Sequence, residues 1–550
     1  MSLEPSRTAF DLAVIGGGIT GAGVARDAAL RGLNCLLLEK DDFSAGTSAK
    51  TTRLIHGGLR YLERGDLQLV AESLRERETL LHMAPHLIRP IPILLPVYAG
   101  DRRPLWKIRA GLSLYDLLSL GKGTPHYGVL ARREALRKSP SLNPEGLLGA
   151  GFFYDYQILL PERLVLENIF SAREHGAYCL NYHEVEAVSD EAGGFGLRVR
   201  DRLTGSEHRF TARVVVNAAG PWADQVGARY RSGLAPKVRT TKGAHVVVDA
   251  DLDHAVLTAS PRDERLFFSL PLEGLTLVGT TDTFWEGPPD GVAPDARDVG
   301  YLLEGLRKLL PGRRFEASDV LWGYAGLRPL ALTAKKGSPS SLSRRYVLHR
   351  EGPEGRFLTM VGGKYTTFRK MAEEAVDVAC RALAFPVPSS TEQVPLFGGG
   401  LADAVLFREN VCECTQKIPN LPREVVDHLV SLYGRRCCDV IDVGLERPEW
   451  REFLAPGCRD YRAQVAYAVR REDAHHLDDV LLRRLRTAVS LDLGLSAAPE
   501  AARIMAEELG WDEGTRRAEV ERFREILERT MALGRAVPGR APCLERAGAF

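Results

Sequence analysis

The sequence predicts an α/β fold with a nucleotide-binding unit, an antiparallel-sheet region and a helical C-terminal region. Three observations predict it. Residues 10–39 read as strand, glycine turn, helix and strand in order. Residues 266–270 and 275–279 are two short apolar runs separated by a turn, the pattern of an antiparallel pair. Residues 401–550 are rich in Ala, Arg, Glu and Leu and mostly helical in pattern.

Residues 10–15 are a short apolar run suited to a buried strand. Gly16, Gly18 and Gly21 follow in G-x-G-x-x-G spacing. The first makes the tight turn, the second lets backbone approach a pyrophosphate, and the third lets the helix pack closely on the strand. The helix N-terminus then offers free N–H groups and a positive dipole to phosphate. The helix continues through 24–30, with Asp27 and Arg31 spaced as an i,i+4 pair, and Gly32 ends it. Residues 35–38 form a second buried strand, and Glu39 at its end stands 18 residues after Gly21. A carboxylate there accepts hydrogen bonds from ribose hydroxyls.

This fingerprint fits FAD and NAD alike, and three further features favour FAD. The motif stands at the start of the sequence. Residues 214–222 read as a late strand ending in a small-residue turn at Ala219 and Gly220. Residues 357–361 form another strand, which ends at Gly362, Gly363 and Lys364 before a helix from 368. That second glycine turn at a helix N-terminus suits the polar edge of an isoalloxazine, and the Lys364 cation suits negative charge there.

Composition narrows the class. At about 150 residues per domain, 550 residues imply two to four domains. The chain is 45% hydrophobic and 26% charged, an ordinary globular balance. A net charge of +1 gives no global attraction to nucleic acid. Thirteen lysines stand against 60 arginines, so each lysine is the more informative. Nine cysteines, an odd number without a signal-like leader, point to a reducing compartment and ordinary thiols. Cys412-x-Cys414 and Cys437-Cys438 fit no common zinc spacing, and no metal site is predicted. No apolar run reaches the roughly 18 residues a spanning helix needs.

Residues 15–32, with Gly16, Gly18, Gly21, Asp27, Arg31 and Gly32, resemble the first signature of the FAD-dependent glycerol-3-phosphate dehydrogenases. Residues 362–372 resemble the second, with Phe368 where the family usually has Tyr. Further matches are 54–63, 83–87, 241–245, 279–282 and 326–330, and 474–484 resembles the family's C-terminal domain. The resemblance implies a discontinuous Rossmann-like FAD-binding domain (10–70, 155–230, 345–390). It is interleaved with an antiparallel-sheet substrate domain (71–154, 231–344) and followed by a helical C-terminal domain (391–550), with 386–400 as a linker. It implies sn-glycerol 3-phosphate as substrate, FAD as cofactor and a quinone as electron acceptor, on the cytoplasmic face of the inner membrane, with a homodimer admitted.

Such chemistry needs a phosphate grip, a group at the reacting carbon and a base. Arginine forks bind phosphate oxygens bidentately, so Arg60 beside Tyr61, and Arg344, are the substrate-binding candidates. Arg328, which the family places by the reacting carbon, is the catalytic candidate for stabilising a forming alkoxide. His56 and His245 are alternative bases, because imidazole titrates near neutrality. Residues 102–120 join a basic start, Trp106 and an apolar run. The pattern fits an interfacial helix or a buried one, and the family's monotopic members favour membrane contact. A glycerol-3-phosphate oxidase using O2, a non-catalytic FAD-binding protein and an amine or amino-acid oxidase are the competing functions.

Overall fold

The computed structural model describes residues 8–119, 121–332, 342–400 and 423–530. Its first sheet is parallel at the centre. The strand Ala9–Ile15 pairs with Glu207–Asn217 on one side and Cys35–Leu38 on the other. Phe357–Val361 and Tyr178–Leu180 extend it in parallel. Helices cover the central strands, which explains why residues 12–15 and 35–38 are continuous apolar runs. The helix Ile19–Leu30 packs between Pro161–Glu174 and Phe368–Ala382. Arg31 pairs with Asp27 at 2.7 Å, both buried. On the far side, His183–Glu191 and Gly194–Asp201 add antiparallel strands to Glu207–Asn217.

The second sheet has ten strands. Leu266–Leu272 and Leu275–Gly279 pair antiparallel within it, as their spacing predicts. Val238–Val248 lies antiparallel to Val320–Ala331 over almost its whole length. One contact departs from the expected all-antiparallel sheet: Ala255–Ala259 runs parallel to Ile88–Tyr98. Both sheets share elements across the expected boundaries. Leu147–Ile158 crosses the 154/155 division without a break in its pairing there, and Leu54–Ile55 pairs with it in the second sheet. The helix Leu67–Met83 crosses 70/71, burying Leu69 and Leu74 in one core and Leu80 and Met83 in another.

The C-terminal region is helical: Arg423–Tyr433, Cys437–Glu446, Arg462–Glu472, Ala498–Leu509 and Glu513–Thr530. It docks through a buried ion pair, Arg163 to Glu472 at 2.7 Å. The expected linker around 386–400 is packed against the nucleotide domain: Leu396 is buried and its N–H donates to Met83 O at 3.1 Å. The thiol expectation needs one correction, because Cys438 is disulfide-bonded while Cys437 is free and buried. Cys412 and Cys414 lie outside the described residues.

Candidate active site

Gly16 has φ +113°, and a Cβ there would meet Ala218 O at 2.8 Å. Only glycine adopts that turn so close to a neighbouring strand end. A Cβ on Gly21 would lie 1.9 Å from Gly16 O, which places the third glycine under the helix, against the strand. Gly18 opens the helix without a side-chain cap of its own. The Ile19 N–H donates to Ser48 Oγ at 2.9 Å. Glu39 closes the cradle, accepting from Gly17 N–H at 2.6 Å and Asp41 N–H at 2.9 Å. Burial, with Asp41 beside it, pushes its carboxyl up to about 7. Gly362 and Gly363, at φ +90° and +93°, make the second glycine turn. Backbone amides, a helix N-terminus and one carboxylate at the ribose position fit an FAD dinucleotide.

This cradle opens into a cavity of about 720 Å³. Its lining unites Gly16, Gly18, Glu39, Ala219, Gly220, Gly362, Gly363 and Lys364 with His56, Arg60, Tyr61, His245, Arg328 and Arg344. Gly21 alone of the sequence candidates lies behind the wall.

The substrate side is a cluster of guanidinium groups around one buried carboxylate. Asp282 accepts from Arg328 and Arg344, each at 3.1 Å, and lies 3.4 Å from Arg265. Burial alone would raise the Asp282 carboxyl, but these arginines hold it below the usual range. Arg328 also donates to Thr280 Oγ1 at 2.9 Å, and burial lowers its pKa to about 9. Arg60 lies over the Tyr61 ring at 5.7 Å. Lys364 Nζ lies over the same ring at 4.1 Å and donates to Ser73 Oγ at 2.8 Å. Burial lowers Lys364 to about 8. It would raise Tyr61, but the Lys364, Arg344 and Arg60 cations bring that phenol down to about 8. Such a surplus of positive charge in a dry pocket suits a dianion.

Sequence reasoning missed Arg265 and the role of Asp282. Residues 279–282 form a motif, but nothing in the sequence marks the carboxylate as the hub of three arginines. It also missed two glycines that make room for reactive side chains. A Cβ on Gly243 would lie 2.2 Å from the Arg328 guanidinium, and one on Gly279 would lie 2.2 Å from the His245 ring. Strand register explains both, since Gly243 faces Gly326 near Arg328, and His245 faces Gly279.

His245 is buried and His56 half-buried, both among cations and neutral at pH 7. Burial, then Lys364 and Arg60, lower His56 to about 3. Burial and Arg328 lower His245 well below its ordinary value. His245 Nε2 is 3.0 Å from Thr52 Oγ1, while its Nδ1 is buried without a hydrogen-bond partner. The ring stacks on Tyr324 at 4.9 Å.

The helix Leu105–Leu118 has two faces. Ile108, Leu112 and Tyr115 are buried, whereas Trp106 and Leu117 are 72% and 59% exposed beside exposed Lys107 and Arg109. Leu112 belongs to the core, so only the outer face of this helix is open to solvent. Tyr115 OH accepts from Gly57 N–H at 2.9 Å and donates to Asp155 at 2.8 Å, anchoring the loop that carries His56. On the opposite side the C-terminal region holds the cofactor loop. Buried Asp42 accepts from Arg483 Nε at 2.5 Å and Arg484 Nη2 at 2.8 Å. Two residues on, Ser44 N–H donates to Gly17 O at 3.1 Å.

Residues 11–369 match the family model described as FAD dependent oxidoreductase. Residues 389–516 match the C-terminal domain of alpha-glycerophosphate oxidase. The chain is 37% identical to a glycerol-3-phosphate dehydrogenase of Synechocystis sp., covering 96% of this chain and 97% of that protein. It is 38% identical to a D-erythritol 1-phosphate dehydrogenase of Brucella abortus, covering 86% and 94%. The structure of the glycerol-3-phosphate dehydrogenase from Bacillus halodurans complexed with FAD superposes with a TM-score of 0.79 at 30% identity, covering 96% and 95%. Fold and site together define a flavin-dependent oxidoreductase. Within that class the chain belongs to the FAD-dependent glycerol-3-phosphate dehydrogenase family, and its cofactor is FAD.

Proposed function

We propose that this protein oxidises sn-glycerol 3-phosphate to dihydroxyacetone phosphate and delivers the electrons to a membrane quinone. The observation that carries the reading is the arginine cluster around Asp282 in the same cavity as the nucleotide cradle. Bound FAD supplies the hydride acceptor. The chain's residues do the rest. Arg60 and Arg344 hold the phosphate, Arg265 steadies them through Asp282, and Tyr61 caps it. Arg328, kept apart by Gly243, stabilises charge developing on the substrate oxygen. A neutral imidazole, His245 or His56, takes the hydroxyl proton; burial first and neighbouring cations second depress both pKa values, and the arriving dianion offsets the share due to the cations.

Anaerobic addition of glycerol 3-phosphate to the purified holoprotein should bleach the flavin band. Glycerol and glycine should not. Bleaching by glycine alone would sink the substrate reading. D-erythritol 1-phosphate, the substrate named for the Brucella relative, measures how far the cavity accepts longer polyol phosphates. The acceptor is tested separately, by quinone reduction against peroxide release; stoichiometric peroxide would favour the oxidase reading.

Membrane contact is part of the same proposal, at the cytoplasmic face. Among the described residues no helix is long and apolar enough to cross a membrane. Support comes from the outer face of Leu105–Leu118, where exposed Trp106 and Leu117 stand among basic residues. Trp106→Asp with Leu117→Asp should abolish sedimentation with anionic vesicles while leaving turnover with a soluble dye intact. Unchanged sedimentation would refute it.

A further inference from the structure

Away from the cavity's reactive end, three strands bring two histidines and an aspartate together. His183 opens the strand His183–Glu191, Asp201 ends Gly194–Asp201, and His208 is the second residue of Glu207–Asn217. Antiparallel pairing sets His183 opposite Asp201, and a short hairpin returns the chain to His208. One ligand atom from each lies within 4.8 Å of the others.

The His183 ring is held in a ligand's state. Its Nδ1 is 2.7 Å from Asn181 O, and a carbonyl can only accept, so Nδ1 carries the hydrogen. The lone pair is therefore on Nε2. That atom is buried, in a residue only 9% exposed, and has no hydrogen-bond partner. An orphaned buried acceptor is costly and invites a partner. A backbone carbonyl on one ring nitrogen and a bare lone pair on the other is the arrangement that orients metal-binding imidazoles.

Asp201 is fixed as well. It accepts from Leu203 N–H at 2.8 Å, Thr204 N–H at 3.2 Å and Thr204 Oγ1 at 2.7 Å. The His208 ring lies 5.7 Å from that of His183 and is half-buried.

We propose that His183, Asp201 and His208 form a binding site for a zinc-type divalent cation at the base of the 202–206 hairpin. Two imidazoles and a carboxylate supply three ligands of a tetrahedral set and leave the fourth position to water. Closing the ligand atoms by less than about 1 Å reaches ordinary Zn–N and Zn–O lengths of ~2.1 Å. The site adjoins the cofactor loop, because His183 N–H donates to Glu39 O at 2.7 Å.

The test uses the FAD-loaded protein, treated with EDTA, desalted and titrated with ZnCl2 by calorimetry, with metal content measured after gel filtration. The expected result is one Zn²⁺ per chain at micromolar or tighter affinity. His208→Ala should weaken binding by at least tenfold, as should Asp201→Asn, with circular dichroism confirming the fold. If Asp201→Asn does not fold, the half-buried His208 variant decides. A His475→Ala/His476→Ala double variant, which removes the other adjacent pair of histidines, should bind as the parent does. Zinc content at background, or unchanged affinity in His208→Ala, would overturn the site.

Discussion

On the cofactor side of the cavity, Gly16 and Gly18 lie in the turn between a strand and a helix, and Gly21 in the helix's first turn. On the substrate side, Arg60, Arg265, Arg328 and Arg344 reach Asp282 and its surroundings from four separate stretches of chain. The first half works through missing side chains: backbone must come close to backbone and to phosphate. The second works through side chains that only the folded sheet brings together. Damage to the two halves should therefore differ in kind, one removing the cofactor and the other removing turnover.

The largest effect is expected at Gly21. Gly21→Val would press a branched side chain into Gly16 O, already 1.9 Å from a built Cβ. The purified variant should be colourless, with the flavin-to-protein absorbance ratio near zero and its helical circular dichroism kept. A yellow Gly21→Val would break the comparison.

Arg328→Lys should retain FAD and lose kcat by roughly a hundredfold, about 3 kcal/mol, because a point cation replaces a planar fork aimed at the developing charge. Arg60→Lys should instead raise KM with kcat little changed, as expected of a group that grips ground and transition states alike. Steady-state kinetics at matched flavin content separates them. If both variants change KM alone, His245 or His56 becomes the better candidate for the chemical step.

A smaller effect sharpens the cofactor half. The Glu39 carboxyl stands at about 7 in the folded chain, and ribose hydroxyls hydrogen-bond best to its ionised form. FAD affinity for the apoprotein should be full above pH 7 and fall by at most tenfold per unit as pH drops toward 5. Glu39→Gln should flatten that dependence. Fluorescence titration with FAD from about pH 6 to about pH 8, roughly one unit either side of 7, measures both. A wild-type affinity that rises on acidification would contradict the assigned role.

The smallest effect concerns the helix that serves neither half directly. Trp106→Ala should leave thermal stability within about 0.5 kcal/mol, since the side chain is 72% exposed. Leu112→Ala, at a buried position on the same helix, should cost about 2–4 kcal/mol. Denaturant unfolding distinguishes the two faces.

The same contrast explains what the sequence made legible. Gly16, Gly18, Gly21 and Glu39 follow from local spacing, and the structure builds a strand, turn and helix where that spacing requires them. Arg60, Arg328 and Arg344 were singled out through motif context, yet Arg265 was not, because it precedes an apolar strand that reads only as sheet. Gly243 and Gly279 fall within matched stretches that give no local reason for glycine. Their purpose lies in strand register, which alternating hydrophobicity does not specify between distant strands. The helix Leu105–Leu118 was ambiguous for a physical reason: an apolar run with one inward and one outward face satisfies both readings.

Asp42 carries one consequence for how the molecule is made. Its carboxylate is buried and, among the described residues, ion-paired with Arg483 and Arg484, more than four hundred residues further along the chain. A growing polypeptide exposes residues 16–44 long before those arginines leave the ribosome. Until they dock, the loop behind Gly17 holds a charge that water must still solvate, and such a charge resists burial. The nucleotide cradle is the first part synthesised and the last completed. Newly made chains should capture flavin after their C-terminal helices fold, in an order opposite to that of translation.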